Sequence, residues 1–237
     1  MELFYALPAE CSTSTVVLRD DEFHHCIHVT RKQVGDEVIV TDGTGNLYTT
    51  TIARIERESV LANVVTVQEH YNESPLRVTL AVGMLKNPSR IEFAIEKCTE
   101  LGVAAFIPLR TTRVIPRSAK IDRWEKIVLA AMKQSCRTIL PDISPIQTFE
   151  ETLASAARFE VKLIAHEVEE LSTTIPSVMR DTSGCLSAII CIGPEGGFTD
   201  EEVGQAKAAG FISVSLGPRR LRGETAAIAA ASQLLLL

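Results

Sequence analysis

The chain has 237 residues, 46% hydrophobic and 23% charged, so it can bury a core and does not belong to the intrinsically disordered class. Its formal net charge of −6 argues mildly against a polyanionic partner. The charge is uneven, because residues 1–72 hold 5 basic and 11 acidic side chains, residues 73–140 hold 12 and 6, and residues 141–237 hold 7 and 13. The basic middle segment fits either a solvated face or a local contact surface for nucleic acid.

Membrane and secretion signals are not found in the sequence. No apolar run reaches the roughly 18–20 residues that cross a membrane, and no basic stretch precedes an apolar one at the N-terminus. We therefore expect a cytoplasmic protein without a signal peptide or a membrane segment. The six cysteines are scattered and form no CxxC pair, which predicts reduced and mostly buried thiols.

The N-terminal segment, residues 1–72, predicts a small β-rich domain. A short helix over 21–30 precedes three β-branched runs with strand periodicity, and the Asp-Gly-Thr-Gly turn at 42–45 has hairpin chemistry. The predicted strands are 37–41, 47–55 and 60–67. Together they indicate a small barrel or a curved sheet, followed by a polar linker over 70–75 that ends in proline.

From residue 76 onward, short apolar runs alternate with helical patterns. The helical periodicity predicts one helix over 88–101, which Gly102 stops, and a second over 120–135. The predicted strands are 78–82, 104–109, 159–165, 188–192 and 212–216. This alternation indicates a mostly parallel sheet with helices on both faces, and the apolar tail 226–237 predicts a core-packed terminal helix.

The last two predicted strands each lead into a glycine-containing turn. Loops at the carboxyl ends of neighbouring strands are where open α/β sheets bind ligands. The first turn reads Gly193-Pro194-Glu195-Gly196-Gly197-Phe198, and Thr199 then begins a capping box for a helix. Its spacing is neither GxGxxG nor a P-loop pattern. The glycines favour a ligand that contacts backbone groups, such as an adenine or an amino-acid moiety, and Glu195 is expected to accept hydrogen bonds from local N–H groups.

The second turn, residues 216–226, adds positive charge. It places Arg219, Arg220 and Arg222 within four residues, beside Glu224 and Thr225. Guanidinium groups suit a phosphate or a developing oxyanion. The alternative is structural, with Glu224 and Thr225 starting the last helix while the arginines pair with acids. Three arginines with one adjacent acid favour a further partner for at least one of them.

The two turns together resemble a known signature. The runs IGPEGGFTDEE at 192–202 and VSLGPRRLRGETAAIAA at 214–230 are similar to those of the bacterial 16S ribosomal RNA uridine-N3 methyltransferases, a branch of the SPOUT methyltransferase superfamily. The resemblance extends along the chain. Residues 23–25, Arg31 and 34–36 resemble the family's PUA-like RNA-binding module. Residues that resemble its catalytic domain are Lys86, Arg90, 96–102, Arg113, Trp124, 126–127 and 134–137. The family runs EQSGR and LRTETA read KQSCR at 133–137 and LRGETA at 221–226, so Lys133, Cys136 and Gly223 depart from the pattern.

The resemblance implies a fold and a set of partners. The implied fold class is α/β, with a trefoil-knotted SPOUT methyltransferase domain over residues 73–237 and a PUA-like small β-barrel over residues 1–72. The implied cofactor is S-adenosyl-L-methionine, and the implied substrate is 16S ribosomal RNA or the small ribosomal subunit. The family acts as a homodimer, and its chemistry requires no metal.

The resemblance also implies roles for residues. Arg222 would stabilise the negative charge that spreads over the uracil carbonyl oxygens as N3 loses its proton, with Glu224 or Thr225 orienting it. The implied cofactor-binding residues are Gly193, Pro194, Glu195, Gly196, Gly197, Leu216, Gly217, Leu221, Thr225 and Ala226. The implied RNA-binding residues are Arg31, Lys86, Arg90, Arg110, Arg113 and Arg117. No general base stands out, although His166 ends a predicted strand.

Three alternatives stay open at this point. A SPOUT enzyme that methylates another RNA site, such as a ribose 2′-hydroxyl, would have the same cofactor motifs. A non-catalytic RNA-binding assembly factor would keep the fold. The spacing of His24, His25 and His28 suggests a metal site. No carboxylate or cysteine completes a clear tetrahedral set, so we expect structural or RNA-facing histidines.

Overall fold

The chain forms two compact units. A computed structural model describes residues 2–114, 120–166, 173–182 and 184–236, and the predicted RNA contact Arg117 lies outside these ranges. The first unit comprises Met1–Glu73 and Leu129–Leu140, and the second comprises Ser74–Val128 and Pro141–Leu237.

The first unit is built on a five-stranded sheet. Its elements are β1 (Leu3–Tyr5), β2 (Thr15–Arg19), α1 (Asp20–His24), a π-helical turn (His25–Val29), β3 (Glu37–Thr41), β4 (Asn46–Ile55) and β5 (Ser59–Glu69). The strand order is β1-β3-β4-β5-β2, with β1 parallel to β3 and the other pairs antiparallel. The three predicted strands are confirmed, and β1 and β2 are additional. Alternate residues such as Val38, Val40 and Ile52 form the core with Phe4 and Leu18, because successive strand side chains point to opposite faces.

The turn between β3 and β4 is held by the carboxylate of Asp42. This buried group accepts hydrogen bonds from the backbone and hydroxyl of Thr44, from Asn46 and from Tyr48. Burial alone would raise the pKa of Asp42, but the hydrogen bonds together lower it below its usual value. The predicted hairpin turn is therefore confirmed, with its carboxylate serving as an internal acceptor.

A buried ion pair joins the segment Leu129–Leu140 to the rest of the first unit. The side chains of Arg137 and Glu73 are only 3% and 4% exposed, and Arg137 Nη2 lies 2.8 Å from Glu73 Oε2. The other oxygen of Glu73 accepts the backbone N–H groups of Thr138 at 2.8 Å and Ile139 at 2.9 Å. These bonds satisfy a buried carboxylate that would otherwise be costly to desolvate.

The second unit contains a parallel sheet. Its elements are β6 (Arg77–Gly83), α2 (Pro88–Leu101), β7 (Ala105–Arg110), α3 (Ile121–Gln134, which continues into the first unit), β8 (Asp142–Ile143), β9 (Gln147–Thr148), α4 (Phe149–Ser155), β10 (Val161–Ala165), α5 (Ile175–Asp181), β11 (Ser187–Ile192), α6 (Asp200–Ala208), β12 (Ile212–Val214) and α7 (Gly223–Leu235). The strand order is β12-β10-β11-β6-β7-β8, with β9 also pairing with β7, and every pair is parallel. The predicted α/β class is confirmed.

Helices cover both faces of this sheet. On one face Leu80 and Phe106 line a small apolar cavity with Ile91 of α2, and α7 packs against α2 and β6. On the other face Ile107 packs in a cluster with Val203 of α6. A parallel strand that is buried on both faces needs a continuous apolar run, and β11 has one over residues 188–192.

The helix boundaries follow the predicted signals. Asn87 caps α2 by accepting the backbone N–H of Ser89, and Gly102 ends the helix with a φ of 109°. Thr199 and Glu202 form the predicted capping box of α6. Among the described helices, none is long and apolar enough to span a membrane.

Candidate active site

Four loops leave the carboxyl ends of β6, β7, β11 and β12. They comprise residues 84–87, 111–114, 193–199 and 215–222, and we refer to them as the loop cluster. The strands are parallel, so their carboxyl ends meet at one edge of the sheet, which is where α/β sheets bind ligands. Both predicted glycine turns belong to this cluster.

Glycines allow the loops to pack backbone against backbone. A Cβ atom on Gly83 would lie 2.6 Å from Pro194, and one on Gly193 would lie 3.0 Å from Gly197. Neither neighbouring atom belongs to a flexible side chain, so a larger residue at either position would force the loops apart. The first glycine turn is therefore held tightly against the end of β6.

Two glutamates connect the first glycine turn to the neighbouring loops. Glu195 Oε1 accepts the backbone N–H of Lys86 at 2.9 Å. Glu202 is buried, and its two oxygens accept the backbone N–H groups of Thr112 and Thr199, each at 2.8 Å. The expected acceptor role of Glu195 is confirmed, although its donor lies in a different loop. These bonds fix the first glycine turn against the loops at 84–87 and 111–114.

Arg113 is a structural part of the same turn. Its guanidinium donates to the carbonyl oxygens of Gly196 at 2.5 Å and Phe198 at 3.2 Å. Its methylenes occupy the space beside Gly196, where a Cβ atom would lie 3.2 Å from Arg113 Cδ. The side chain predicted to contact RNA thus holds the glycine turn in place.

Space for a ligand remains beside two glycines with left-handed backbone. Gly197 has a φ of 66° and Gly217 a φ of 119°, and a Cβ atom on either would have nothing within 4 Å. The backbone N–H groups of Leu216 and Leu221 donate to no residue that the structure describes. Open space next to unpaired backbone donors suits a ligand that is recognised through the main chain, as the predicted cofactor would be.

The two predicted catalytic residues lie two positions apart and have different surroundings. Arg222 is exposed at the N-terminal cap of α7, and its carbonyl accepts the N–H of Ala226 at 2.8 Å. Glu224 lies inside the first turn of α7, and its Oε1 is 3.6 Å from Nε of Arg90 on α2. Since α7 packs against α2, the carboxylate meets Arg90, and no ion pair among the described residues joins it to Arg222. The predicted orienting contact between Glu224 and Arg222 is not formed.

The remaining predicted RNA contacts are dispersed. Lys86 and Arg110 are exposed in and next to the loop cluster, whereas Arg90 is half-buried against Glu224. Arg31 belongs to the first unit, where it is exposed and has a φ of 58°.

The histidines do not form a metal cluster of three ligands within the described ranges. The rings of His24 and His28 are 5.0 Å apart, and His25 Nε2 lies 3.2 Å from Glu2. His166 follows β10 and donates its backbone N–H to Val214.

Two buried cysteines can be excluded as nucleophiles. Burial raises the pKa of Cys98 and of Cys191 to about 12, so both thiols stay protonated near neutral pH. Cys191 lies in β11, two residues before the first glycine turn. Its place is structural despite its proximity to the site.

The three departures from the family pattern have different local environments. Lys133 forms an ion pair with Glu22. Cys136 adopts a φ of 56°, a conformation that favours glycine. Gly223 packs directly against Leu85, because a Cβ atom at position 223 would lie 2.7 Å from Leu85 Cδ2.

Comparison with known families agrees with this architecture. An RNA methyltransferase domain model matches residues 72–235, and an RNA methyltransferase PUA domain model matches residues 18–65. The parallel sheet, the glycine-lined loop cluster and these matches define the class as RNA methyltransferases with an N-terminal PUA domain.

Individual relatives narrow this class to one family. Ribosomal RNA small subunit methyltransferase E from Synechocystis is 34% identical over 229 residues, which is 96% of this chain and 75% of the relative. The enzyme of the same name from Neisseria gonorrhoeae, solved bound to S-adenosyl methionine, superimposes with a TM-score of 0.86 at 35% identity over 99% of this chain and 96% of the other. A Legionella pneumophila structure in complex with the cofactor SAM gives 0.81 at 31% identity over 99% and 96%. The chain belongs to the ribosomal RNA small subunit methyltransferase E family, as the sequence predicted.

Proposed function

We propose that this chain transfers the methyl group of S-adenosylmethionine to N3 of a uridine in the 16S ribosomal RNA of the small subunit. The observation that supports this most directly is the second glycine turn, where Gly217 has open space beside it, the backbone N–H groups of Leu216 and Leu221 donate to no described residue, and Arg222 is exposed. Relatives named as small-subunit ribosomal RNA methyltransferases share almost the full length of the chain.

The glycine turns would bind the cofactor through their backbone. The proposed contacts are Gly193, Pro194, Glu195, Gly196 and Gly197 in the first turn, and Leu216, Gly217, Leu221, Thr225 and Ala226 in and after the second. S-adenosylmethionine supplies an electrophilic methyl group on a sulfonium ion, which reacts by in-line attack. The tight packing at Gly83 and Gly193 keeps the first turn in place before a ligand arrives.

Arg222 would act on the uracil. The N3 position is a poor nucleophile until it loses its proton, and negative charge then spreads to the carbonyl oxygens on either side. A guanidinium group next to those oxygens stabilises the anion. Arg222 suits this role because no ion pair with a described residue engages its exposed side chain.

The proposed RNA contacts are divided by their surroundings. Arg31, Lys86 and Arg110 have exposed side chains that can reach phosphates, and Arg117 stays in this set from the sequence alone. Arg90 and Arg113 bind within the protein, so we assign them to the support of the site. We further propose that the protein acts in the cytoplasm as a homodimer, as the family resemblance implies.

A mapping experiment tests the proposed reaction. Purified protein is incubated with labelled S-adenosylmethionine and with small ribosomal subunits from a deletion strain, and the modified nucleotide is identified by nucleoside mass spectrometry. We expect 3-methyluridine. A 2′-O-methylated nucleotide would contradict the target atom, and the absence of cofactor binding would favour a non-catalytic assembly factor.

The variant Arg222→Ala tests the proposed catalytic residue. We expect cofactor affinity by calorimetry to stay within about threefold of wild type, while the single-turnover rate falls by roughly 10²–10³-fold, since one anion-stabilising donor is lost. Arg54→Ala is a suitable control, because the exposed Arg54 in the first unit forms an ion pair only with the exposed Glu56 among the described residues. Normal cofactor binding with a wild-type rate would disprove the role of Arg222.

A further inference from the structure

Glu224 has a carboxylate oxygen to which no described residue donates a hydrogen bond. Its side chain is 12% exposed, Oε1 faces Arg90, and Oε2 is buried without a hydrogen-bond partner among the described residues. Three other buried polar atoms share this state: Glu22 Oε2, Thr111 Oγ1 and Ser213 Oγ. Glu224 is the carboxylate of this group that adjoins the second glycine turn and Arg222.

Leaving such an oxygen unpaired is unfavourable. A buried acceptor without a donor costs about 1–3 kcal/mol, and more when it is charged. The first turn of α7 offsets part of this cost, because the N-terminal end of a helix stabilises negative charge. Native proteins rarely keep such groups without a role. The side chain as a whole is 12% exposed, so a small rotation of the carboxylate can bring this oxygen to a ligand that donates a hydrogen bond.

The proposed substrate has a matching donor. The reacting edge of uracil presents the N3–H donor between two carbonyl acceptors, and the proposed role of Arg222 is to bind those acceptors. Arg222 cannot accept the N3 proton, because a guanidinium group carries only donors. Glu224, two residues further on, has a carboxylate oxygen that can accept it.

We propose that Glu224 is the general base of the reaction and that Arg90 is its positioning residue; this inference rests on the proposed methylation of uridine N3. The N3–H bond breaks and its proton moves to Glu224 Oε2. The N3–CH₃ bond forms as the S–CH₃ bond breaks, giving 3-methyluridine and S-adenosylhomocysteine. The carboxylic acid of Glu224 then releases the proton to water, which restores the enzyme.

Arg90 acts through Glu224. It is the charged side chain within ion-pair distance of this carboxylate among the described residues. By holding Oε1 at 3.6 Å, it limits the rotation of the carboxylate, so the other oxygen, Oε2, is the one left for a ligand. We expect Arg90→Lys to retain more activity than Arg90→Ala, because a lysine can still pair with the carboxylate.

The variant Glu224→Gln separates a base from a structural residue. Amide and carboxylate have the same shape, so we expect cofactor affinity by calorimetry to stay within about threefold. We expect the single-turnover rate near neutral pH to fall by roughly 10²–10⁴-fold, the range for a lost general base. The rate of the variant should then rise about tenfold per pH unit, because it depends on uracil already ionised in solution, whereas the wild-type rate should be flatter.

Glu92→Gln is a matched control. Glu92 lies on α2, pairs with Arg123 and has a side chain that is 13% exposed, close to the value for Glu224. Loss of the Glu92 carboxylate should leave the single-turnover rate and its pH profile unchanged.

The outcomes distinguish this inference from the proposed function. If the wild-type protein forms 3-methyluridine and Glu224→Gln keeps its rate within threefold, Glu224 is not the base while the function stands. A slow variant with a pH profile parallel to that of the wild type, or with lost cofactor binding, also overturns the inference in favour of a structural role. If the wild-type protein methylates another atom, the proposed function and this inference fall together.

Discussion

At the scale of single residues, the structure explains positions where this chain departs from its family pattern. Cys136 is the clearest case, since it has a φ of 56° at the place where the resembled family has glycine. A non-glycine residue in the left-handed region costs about 1–2 kcal/mol. The chain therefore keeps a local strain at Cys136.

The strain at Cys136 predicts a stabilising substitution. We expect Cys136→Gly to raise the free energy of unfolding of the first unit by about 0.5–1 kcal/mol, which is the relief of strain less the entropy cost of glycine. Urea denaturation of the full chain measures this change. Cys136→Ala is the control, because it removes the thiol and keeps the strained backbone. Equal stability of the two variants would show that the strain is negligible.

Arginines that the sequence groups together have different contacts in the structure. The sequence groups Arg90, Arg110 and Arg113 as RNA contacts, Arg90 and Arg113 from the family resemblance and Arg110 from the basic middle segment. The structure shows that Arg113 binds the carbonyls of Gly196 and Phe198 and that Arg90 binds Glu224. A charge reversal at Arg113 would therefore disturb the glycine turn, and Arg110 is the cleaner position for testing RNA contacts.

At the scale of elements, helices and strands were more predictable than the connections between them. The helix Pro88–Leu101 and the strand Glu37–Thr41 have the bounds that their periodicity predicted. The short strand Thr15–Arg19 and the helix Phe149–Ser155 were not predicted, because such short segments have weak periodicity and are stabilised by tertiary contacts.

Glu202 shows how one helix terminus organises two loops. Its carboxylate accepts the N–H of Thr199 within the capping box and the N–H of Thr112 in another loop. The capping box was visible in the sequence, but the second bond spans 90 positions and was not.

This arrangement predicts a measurable cost for Glu202→Gln. The amide replaces one acceptor oxygen with a donor that faces a backbone N–H, so we expect the free energy of unfolding to fall by about 1–3 kcal/mol. We also expect weaker binding of S-adenosylmethionine by calorimetry. Glu201→Gln is the control, because the neighbouring Glu201 is exposed. Unchanged stability and affinity in Glu202→Gln would show that the two loops are positioned without this carboxylate.

At the scale of the whole molecule, the chain is not divided at a single point. The sequence predicted domains over 1–72 and 73–237, whereas the first compact unit includes Leu129–Leu140 as well as Met1–Glu73. The ion pair of Arg137 with Glu73 and the bonds from Thr138 and Ile139 to the same carboxylate connect these segments. A polar linker with a proline marks where the β-rich pattern gives way to alternating strands and helices. It does not show that a later segment, Leu129–Leu140, belongs to the first unit.

Among the substitutions considered, breaking the buried ion pair of Arg137 with Glu73 should cause the largest loss of stability. We expect Arg137→Ala to lower the free energy of unfolding by about 3–5 kcal/mol, because it leaves the carboxylate of Glu73 buried and uncompensated. Denaturation followed by hydrogen exchange in β5 measures this loss in the first unit. Arg54→Ala is the control, since the exposed pair Arg54–Glu56 should contribute less than about 1 kcal/mol. A loss of similar size in both variants would contradict the structural role of Arg137.

The sequence by itself determined the α/β class, the two glycine turns, the helix caps and the family, because these depend on periodicity and on motifs within a short stretch of chain. Only the tertiary structure decided the partners of the site residues. Arg113, Glu195, Glu202 and Glu224 each bind a group that is 80 or more positions away. Local sequence encodes which donors and acceptors a residue carries, but the parallel strand order brings distant loops to one edge of the sheet and thereby sets which of those groups meet.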